Sequence, residues 1–266
     1  YFKRKFTRES TLKLESLPAL TKKYTKEGVS LMKIGIFALD NFSAGKESII
    51  DERLAGLKQM AHSAKKVYIE VEVITDAQRL GECDGIISPE SGKTDLALMD
   101  LEFIEKRINS SQEEQEKNLL NKFKAQLEKE ETLFKLELSE DESKIARGYP
   151  LLSLRPVFLV EPQGIEADKN TILASAYAHC GYISFFTANE KETRAWSLRK
   201  GMSCWQASGL IHSDIQKGFI RAEVISFSDL VNDGGINQAR ANNHFRLEGK
   251  DYIVQDADLI KFRFNK

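Results

Sequence analysis

Four short apolar segments, rich in β-branched residues, constrain the fold more than any other feature of the sequence. They lie at residues 33–39, 67–74, 85–87 and 156–160, and Leu54, Leu57 and Met60 follow the first of them at helical spacing. Short apolar runs are typical of strands that are buried on both faces of a parallel sheet, whereas 67–74 alternates and predicts one solvent-facing side. Strands separated by helical patterns predict a doubly wound α/β sheet.

Residues 94–148 form a charged block that interrupts these strands. Apolar residues recur there at helical spacing in two successive stretches, and the pairs Ser111/Glu114 and Ser139/Glu142 predict capping boxes at two helix starts. The block therefore predicts a helical hairpin. It contains 14 Asp and Glu against 9 Lys and Arg, a balance that favours a contact with a protein over a contact with phosphate.

The end of the chain carries four strings that identify a resemblance: RAWSLR at 194–199, GFIRAE at 218–223, EGKDYIVQD at 248–256 and FRFN at 262–265. In this order they resemble the C-terminal TGS domain of the YchF-type Obg-like ATPases. Upstream, residues 51–54, 68–71 and 149–156 are similar to landmarks of the same family. The resemblance covers residues 32–266 and implies a degenerate P-loop GTPase-like domain at 32–181 with the hairpin inserted at 94–148, and a β-grasp (ubiquitin-like) TGS domain at 182–266. Residues 1–31 precede it as a basic extension.

The place where this family binds nucleotide phosphates departs from the motif. A Walker loop, Gly-x4-Gly-Lys-Ser/Thr, brings consecutive backbone amides onto the phosphates while the Lys and the hydroxyl reach phosphate and Mg²⁺. Ala38 stands where the first glycine belongs, and Glu47 stands where the hydroxyl residue belongs. Gly45, Lys46 and Ser48 are the candidate remnant of a phosphate loop. If they function, the cofactor is ATP or GTP with Mg²⁺; otherwise no cofactor is expected.

Two further nucleotide elements of the family are altered. Val73 and Asp76 occupy the positions of its Asp-x-x-Gly, whose carboxylate organises Mg²⁺. Residues 161–164 read Glu-Pro-Gln-Gly where the adenine-selecting Asn-x-x-Glu is expected. Three independent departures favour a protein without catalytic residues.

Basic residues are frequent in the first half of the TGS-like region, where Trp196 and Trp205 also occur. Arginines can bind the phosphates of single-stranded RNA and aromatic rings can stack on its bases. The alternative is an ordinary solvated strand face with buried tryptophans. The candidate RNA- or partner-binding residues are Arg194, Arg199, Lys200, Lys217 and Arg221.

Composition restricts the remaining classes of function. No apolar run approaches the roughly 18 residues that span a bilayer, so we expect no membrane contact and a cytoplasmic location. Residues 1–31 hold eight Lys and Arg against three Glu, which indicates a solvated arm or one that touches RNA. The three cysteines and four histidines show no metal-ligand spacing.

The favoured hypothesis is a non-catalytic TGS-domain protein that associates with ribosomes or RNA in translation or stress. One alternative is a nucleotide hydrolase of the YchF/Obg type with an atypical phosphate loop. Another is a protein scaffold that acts through the acidic hairpin. A loop filled by its own side chains favours the first hypothesis, and a loop that curls around a triphosphate favours the hydrolase.

Overall fold

The computed structural model describes residues 31–161 and 168–265. Apart from Leu31, the predicted basic extension lies outside the described residues. The strands are β1 (Met32–Ile36), β2 (Gly45–Ile49), β3 (Lys65–Val67), β4 (Ile69–Ile74), β5 (Gly85–Pro89), β6 (Val157–Val160), β7 (Tyr182–Ala188), β8 (Glu192–Arg199), β9 (Phe219–Ser226), β10 (Arg246–Glu248) and β11 (Asp258–Phe264). The helices are α1 (Arg53–Met60), α2 (Lys93–Ser110), α3 (Glu114–Leu127), α4 (Glu140–Ala146), α5 (Lys169–His179), α6 (Cys204–Ile211), α7 (Ser213–Lys217), α8 (Phe227–Asn232) and α9 (Ile236–Ala241).

The first sheet has the strand order β2-β4-β1-β5-β6. Strands β4, β1, β5 and β6 are parallel, and β2 pairs antiparallel with β4 at one edge. Ile34 of β1 packs into a core with residues of α1 and α5, while Ile86 of β5 packs with Leu96 of α2. Helices thus cover both faces. The predicted α/β architecture is confirmed, and the apolar runs of β1, β5 and β6 lie where the sequence places them.

The second sheet has the order β10-β9-β11-β7-β8-β3 and is mixed. Strands β7 and β8 are antiparallel neighbours, and β11 lies between β7 and β9. Helix α9 ends at Ala241, and Ser203 and Ile253 form an isolated bridge outside the strands. The β-grasp assignment of this region stays a prediction.

One predicted strand belongs to two sheets. Residues 65–67 pair with 192–194 in the second sheet, and 69–74 pair with β1 and β2 in the first, so the chain changes sheets at Tyr68. A single core cluster also contains Ile34 and Leu57 together with Phe186 and Ile225. The boundary predicted at 182 stays a prediction, but apolar packing and strand pairing both cross it.

The helical block contains the expected hairpin, made by α2 and α3, followed by α4. The capping box of Ser139 and Glu142 is confirmed at the start of α4. The box of Ser111 and Glu114 is wrong, because α3 begins at Glu114 and the Ser111 hydroxyl instead bonds the carboxylate of Glu116.

Candidate functional site

The connection between β1 and β2 is where a phosphate loop would lie. It consists of residues 37–44, and none of them is helical. Phe42 is buried in the core shared by α1 and α5, Leu39 packs against the same core, and Phe37 packs against the cluster of Leu80 and Leu96. The loop is therefore filled by its own side chains.

Gly45, Lys46 and Ser48 lie on strand β2, not in a loop. They pair with Val73, Glu72 and Glu70 of β4. Amides of an extended strand point alternately to its two sides and cannot converge on one phosphate. The expected phosphate-loop geometry is therefore absent at these three residues, and their part in nucleotide binding stays a prediction.

Glu47 carries the negative charge that the sequence places in the phosphate-binding position. Its carboxylate is 2.5 Å from Nζ of Lys169, the first residue of α5, and that ammonium group lies 5.7 Å from the centre of the Phe42 ring. The ammonium group that lies over the Phe42 ring is thus already paired with a carboxylate. The ion pair and the buried ring together tie the loop and β2 to α5.

The second nucleotide element has structural roles here. Val73 is buried within β4, and the Asp76 carboxylate accepts a hydrogen bond of 2.9 Å from the backbone N–H of Gln78, which caps a short 3₁₀ helix. One oxygen of this carboxylate therefore serves as a helix cap. Of the base-reading segment, Glu161 is exposed, and 162–164 lie outside the described residues.

The five predicted basic residues do not form one surface. Arg194 and Arg199 are five residues apart on β8, and successive strand residues alternate between the two faces of a sheet, so these two point to opposite faces. Arg221 lies on β9, which β11 and β7 separate from β8. By the register of β7 with β11, Arg199 and Arg221 are near opposite ends of the sheet, separated by about eight residue steps or roughly 26 Å.

The arginines of β8 already have partners. Nε of Arg194 donates to Glu192 at 2.8 Å, and its guanidinium lies 5.2 Å from the centre of the Trp196 ring. The Arg199 guanidinium lies 4.5 Å from the centre of the Tyr182 ring. Lys200 and Lys217 are exposed and make no side-chain bond to the described residues.

The two tryptophans differ in their surroundings. Trp196 stacks on Phe185 and its Nε1 donates to Thr187 at 2.9 Å, as expected for a tryptophan that packs within the sheet and does not bind RNA. Trp205 is 40% exposed, and its Nε1 donates to the Gln216 carbonyl at 3.0 Å. Only Trp205 therefore presents substantial ring surface to a partner.

The helical hairpin holds a buried polar cluster and an apolar cavity. Glu116 accepts hydrogen bonds from Arg107 at 2.7 Å, from Tyr149 at 2.5 Å and from Ser111, and these bonds lower its pKa to about 2. A cavity of about 190 Å³ lies between α2 and the end of α3, beside Leu98, which is 57% exposed. A protein contact at this hairpin stays a prediction.

Reactive and metal-binding groups are scarce in the part of the chain that the structure describes. Cys83, Cys180 and Cys204 are buried and unpaired, and burial raises their thiol pKa values to about 11, 12 and 12. Across 31–161 and 168–265, no group of three or more His, Cys, Asp and Glu side chains is placed to hold a metal ion. In the same ranges, no helix combines the length and apolarity needed to cross a bilayer.

Sequence comparison identifies relatives along most of the chain. The "Ribosome-binding ATPase YchF" of Bacillus subtilis is 30% identical in an alignment of 249 positions that covers 70% of this chain and 68% of the relative. The protein of the same name from Mycoplasma genitalium is 32% identical, covering 82% of this chain and 62% of its own length. This chain belongs to the YchF family.

The likeness to the YchF family extends to both halves of the structure. The family model YchF-GTPase_C, described as a protein of unknown function (DUF933), matches residues 182–265. The "Obg-like ATPase 1" of Danio rerio is 47% identical over 94 residues, which cover 35% of this chain and 24% of the relative. The YchF GTPase of Schizosaccharomyces pombe has the same overall fold, with a TM-score of 0.69 at 17% identity over 89% of this chain and 99% of that structure.

Membership of the YchF family bears on two of the predictions made from the sequence. The resemblance to the YchF family that the terminal strings indicate is confirmed, and the likeness to the Schizosaccharomyces pombe structure agrees with the α/β fold. The strand conformation of Gly45-Lys46 could not be recognised from motif spacing, because the dipeptide imitates the end of a Walker motif while belonging to β2.

Proposed function

We propose that this chain is a cytoplasmic, ribosome-associated member of the YchF family that acts by binding and does not hydrolyse a nucleotide. The names of its relatives, which describe them as ribosome-binding, support the association. The non-catalytic part is carried by one observation: residues 37–44 join β1 directly to the edge strand β2 and are packed with their own side chains.

The residues present do not fit a nucleotide triphosphate with Mg²⁺. A phosphate cradle needs converging backbone amides at a helix N-terminus, and the amides of Gly45 and Lys46 belong to an antiparallel ladder instead. The space beneath the loop holds the Phe42 ring, and Glu47 adds a carboxylate that repels phosphate. No catalytic step is therefore assigned to such a group.

The alternative is a hydrolase that binds ATP or GTP with Mg²⁺ through Gly45, Lys46 and Ser48. It draws its support from the relatives, whose names describe them as ATPases. Lys46 and Ser48 are two residues apart on β2 and share one side of that strand, where the Lys46 side chain is exposed.

Calorimetric titration of the purified chain with ATP and with GTP, each with Mg²⁺, separates the two functions. We expect no saturable binding tighter than about 100 µM, or roughly −5.5 kcal/mol. Lys46→Ala should behave as the unaltered protein does. Micromolar binding that is lost in Lys46→Ala would establish the alternative and refute the non-catalytic function.

Ribosome association is tested separately by co-sedimentation. The chain should pellet with ribosomes at low salt and should be released steeply as salt rises, because cations that neutralise phosphates release condensed counterions. Failure to pellet at about 50 mM salt, below the range in which such contacts weaken, would refute the association.

A further inference from the structure

One face of the second sheet changes from apolar to cationic along the paired strands β9 and β11. Ile225 and Leu259 face each other across this pair and are buried in the core shared by both halves of the chain. Two residues further along, Glu223 faces Lys261, and two further again Arg221 faces Arg263. Since residues two apart on a strand share a face, these six side chains lie on the same side of the sheet.

Arg221 and Arg263 are directly opposite each other and both are exposed. Like charges directly opposite on neighbouring strands destabilise the pair unless a counter-charge separates them. Among the described residues, the Arg221 and Lys261 side chains make no hydrogen bond, ion pair or ring contact. Their charges are thus available to an external anion.

Glu223 is the counter-charge on this face, and its side chain is only 7% exposed. Nε of Arg263 donates to its Oε1 at 2.8 Å, and Oε2 lies 3.0 Å from Nη1 of Arg240 without accepting a hydrogen bond from the described residues. The Arg240 guanidinium also lies 4.5 Å over the Phe245 ring. One buried carboxylate therefore holds two guanidinium groups in place.

Four cationic side chains thus surround one carboxylate, that of Glu223. We refer to the four cationic residues as the arginine face: Arg221, Arg240, Lys261 and Arg263. These groups follow the strands in a row and do not converge on a cavity, so they match an extended polyanion better than a single small anion. Guanidinium groups in fixed orientations bind phosphate oxygens through two N–H donors at once.

We propose that the arginine face binds the phosphate backbone of single-stranded RNA. The choice of RNA as the polyanion rests on the ribosome association proposed above, while the position of the face rests on the strand register alone. Of the basic residues predicted from the sequence, the face contains only Arg221; Arg240, Lys261 and Arg263 come from α9 and β11.

The test uses a fluorescein-labelled single-stranded RNA of about 16 nucleotides, the upper end of the range of about 4–16 nucleotides that single-strand-binding folds occupy. Binding to the full chain is followed by fluorescence anisotropy between about 50 and 200 mM KCl. The variant Arg221→Ala/Lys261→Ala removes two cations without a structural partner. The matched control Lys129→Ala/Lys250→Ala removes two exposed cations that lie outside the arginine face and outside the basic residues predicted from the sequence.

The arginine face predicts that the first variant binds at least about tenfold more weakly at low salt. Its plot of log Kobs against log salt should be shallower by about 1.4, or 0.7 for each phosphate that the variant no longer neutralises. The control should retain the affinity and slope of the unaltered chain. Equal weakening in both variants, or unchanged binding in the first, would overturn the proposal.

Co-sedimentation of the same proteins with ribosomes distinguishes this proposal from the function on which it rests. If the unaltered chain binds RNA through Arg221 and Lys261 but never pellets with ribosomes, the arginine face stands and the ribosome association fails. If the chain pellets with ribosomes while Arg221→Ala/Lys261→Ala binds RNA and ribosomes normally, the association stands and the arginine face is refuted.

Discussion

Phe42→Ala is the perturbation that most directly tests the packed connection between β1 and β2. The Phe42 ring is 6% exposed, contributes to the core shared by α1 and α5, and lies beneath the Lys169 ammonium group. Truncation of a buried phenylalanine costs about 3–5 kcal/mol, because transfer energy is lost and a cavity remains. The cation–π contact adds about 0.5–1 kcal/mol at a partly exposed site.

We take about 3 kcal/mol, since a loop can relax into the space more readily than a strand or helix can. For a chain of this size each kcal/mol lowers Tm by about 2–4 °C, so Phe42→Ala should lower Tm by roughly 6–12 °C. Thermal unfolding followed by circular dichroism measures the shift, with the exposed neighbour in Ser43→Ala as the control. A shift in Phe42→Ala no larger than that of the control would refute the assignment of this ring to the core.

Two further predictions concern stability. The pKa of Glu116 is lowered to about 2 from its ordinary 4.5, chiefly by the hydrogen bond from Arg107, so its stabilising contribution is complete above about pH 4.5 and is lost as the pH falls through 2. Glu116→Gln should therefore lower the free energy of unfolding by about 1–2 kcal/mol at pH 7, a modest value because Arg107 is half exposed. The difference in urea midpoint between this variant and the unaltered chain should shrink from pH 5 to pH 2.5. A difference that stays constant over this range would contradict the prediction. Residues 182–266 expressed alone should fold but should unfold at a lower temperature than the full chain, because Phe186, Ile225 and Leu259 lose the apolar residues of 32–181 that bury them. Amide dispersion typical of an unfolded chain by NMR, or an unchanged Tm, would contradict this prediction.

The parts of the fold that the sequence predicts are those whose signal is local. The runs of β1 and β5 are apolar because both of their faces are buried, so composition alone identifies them. Strands β2 and β3 read Gly-Lys-Glu-Ser-Ile and Lys-Lys-Val and lie at sheet edges. Edge strands need little apolar surface, and their pairing partners are distant in sequence, so no local pattern predicts them.

The candidate functional sites likewise depend on contacts between residues that are distant in sequence, which local patterns do not predict. Gly45-Lys46 satisfied a spacing rule only approximately, and its strand conformation depends on pairing with Val73 and Glu72. The basic residues of 194–221 are close in sequence, but strand alternation and the insertion of β11 beside β7 disperse them. Conversely, Arg221 and Arg263 are brought together by a register that only the folded sheet reveals.

The change of sheets at Tyr68 has a consequence for synthesis of the chain. Strand β3 pairs with β8, whose residues follow about 130 positions later. At roughly 5–20 residues per second, β3 therefore stays unpaired for about 6–26 s until β8 has been synthesised. An unpaired edge is a template for association with other chains, and the Lys65-Lys66 pair at its start opposes such contacts by charge repulsion. Nascent chains arrested before β8 therefore differ from complete ones by an open strand edge that a chaperone can recognise.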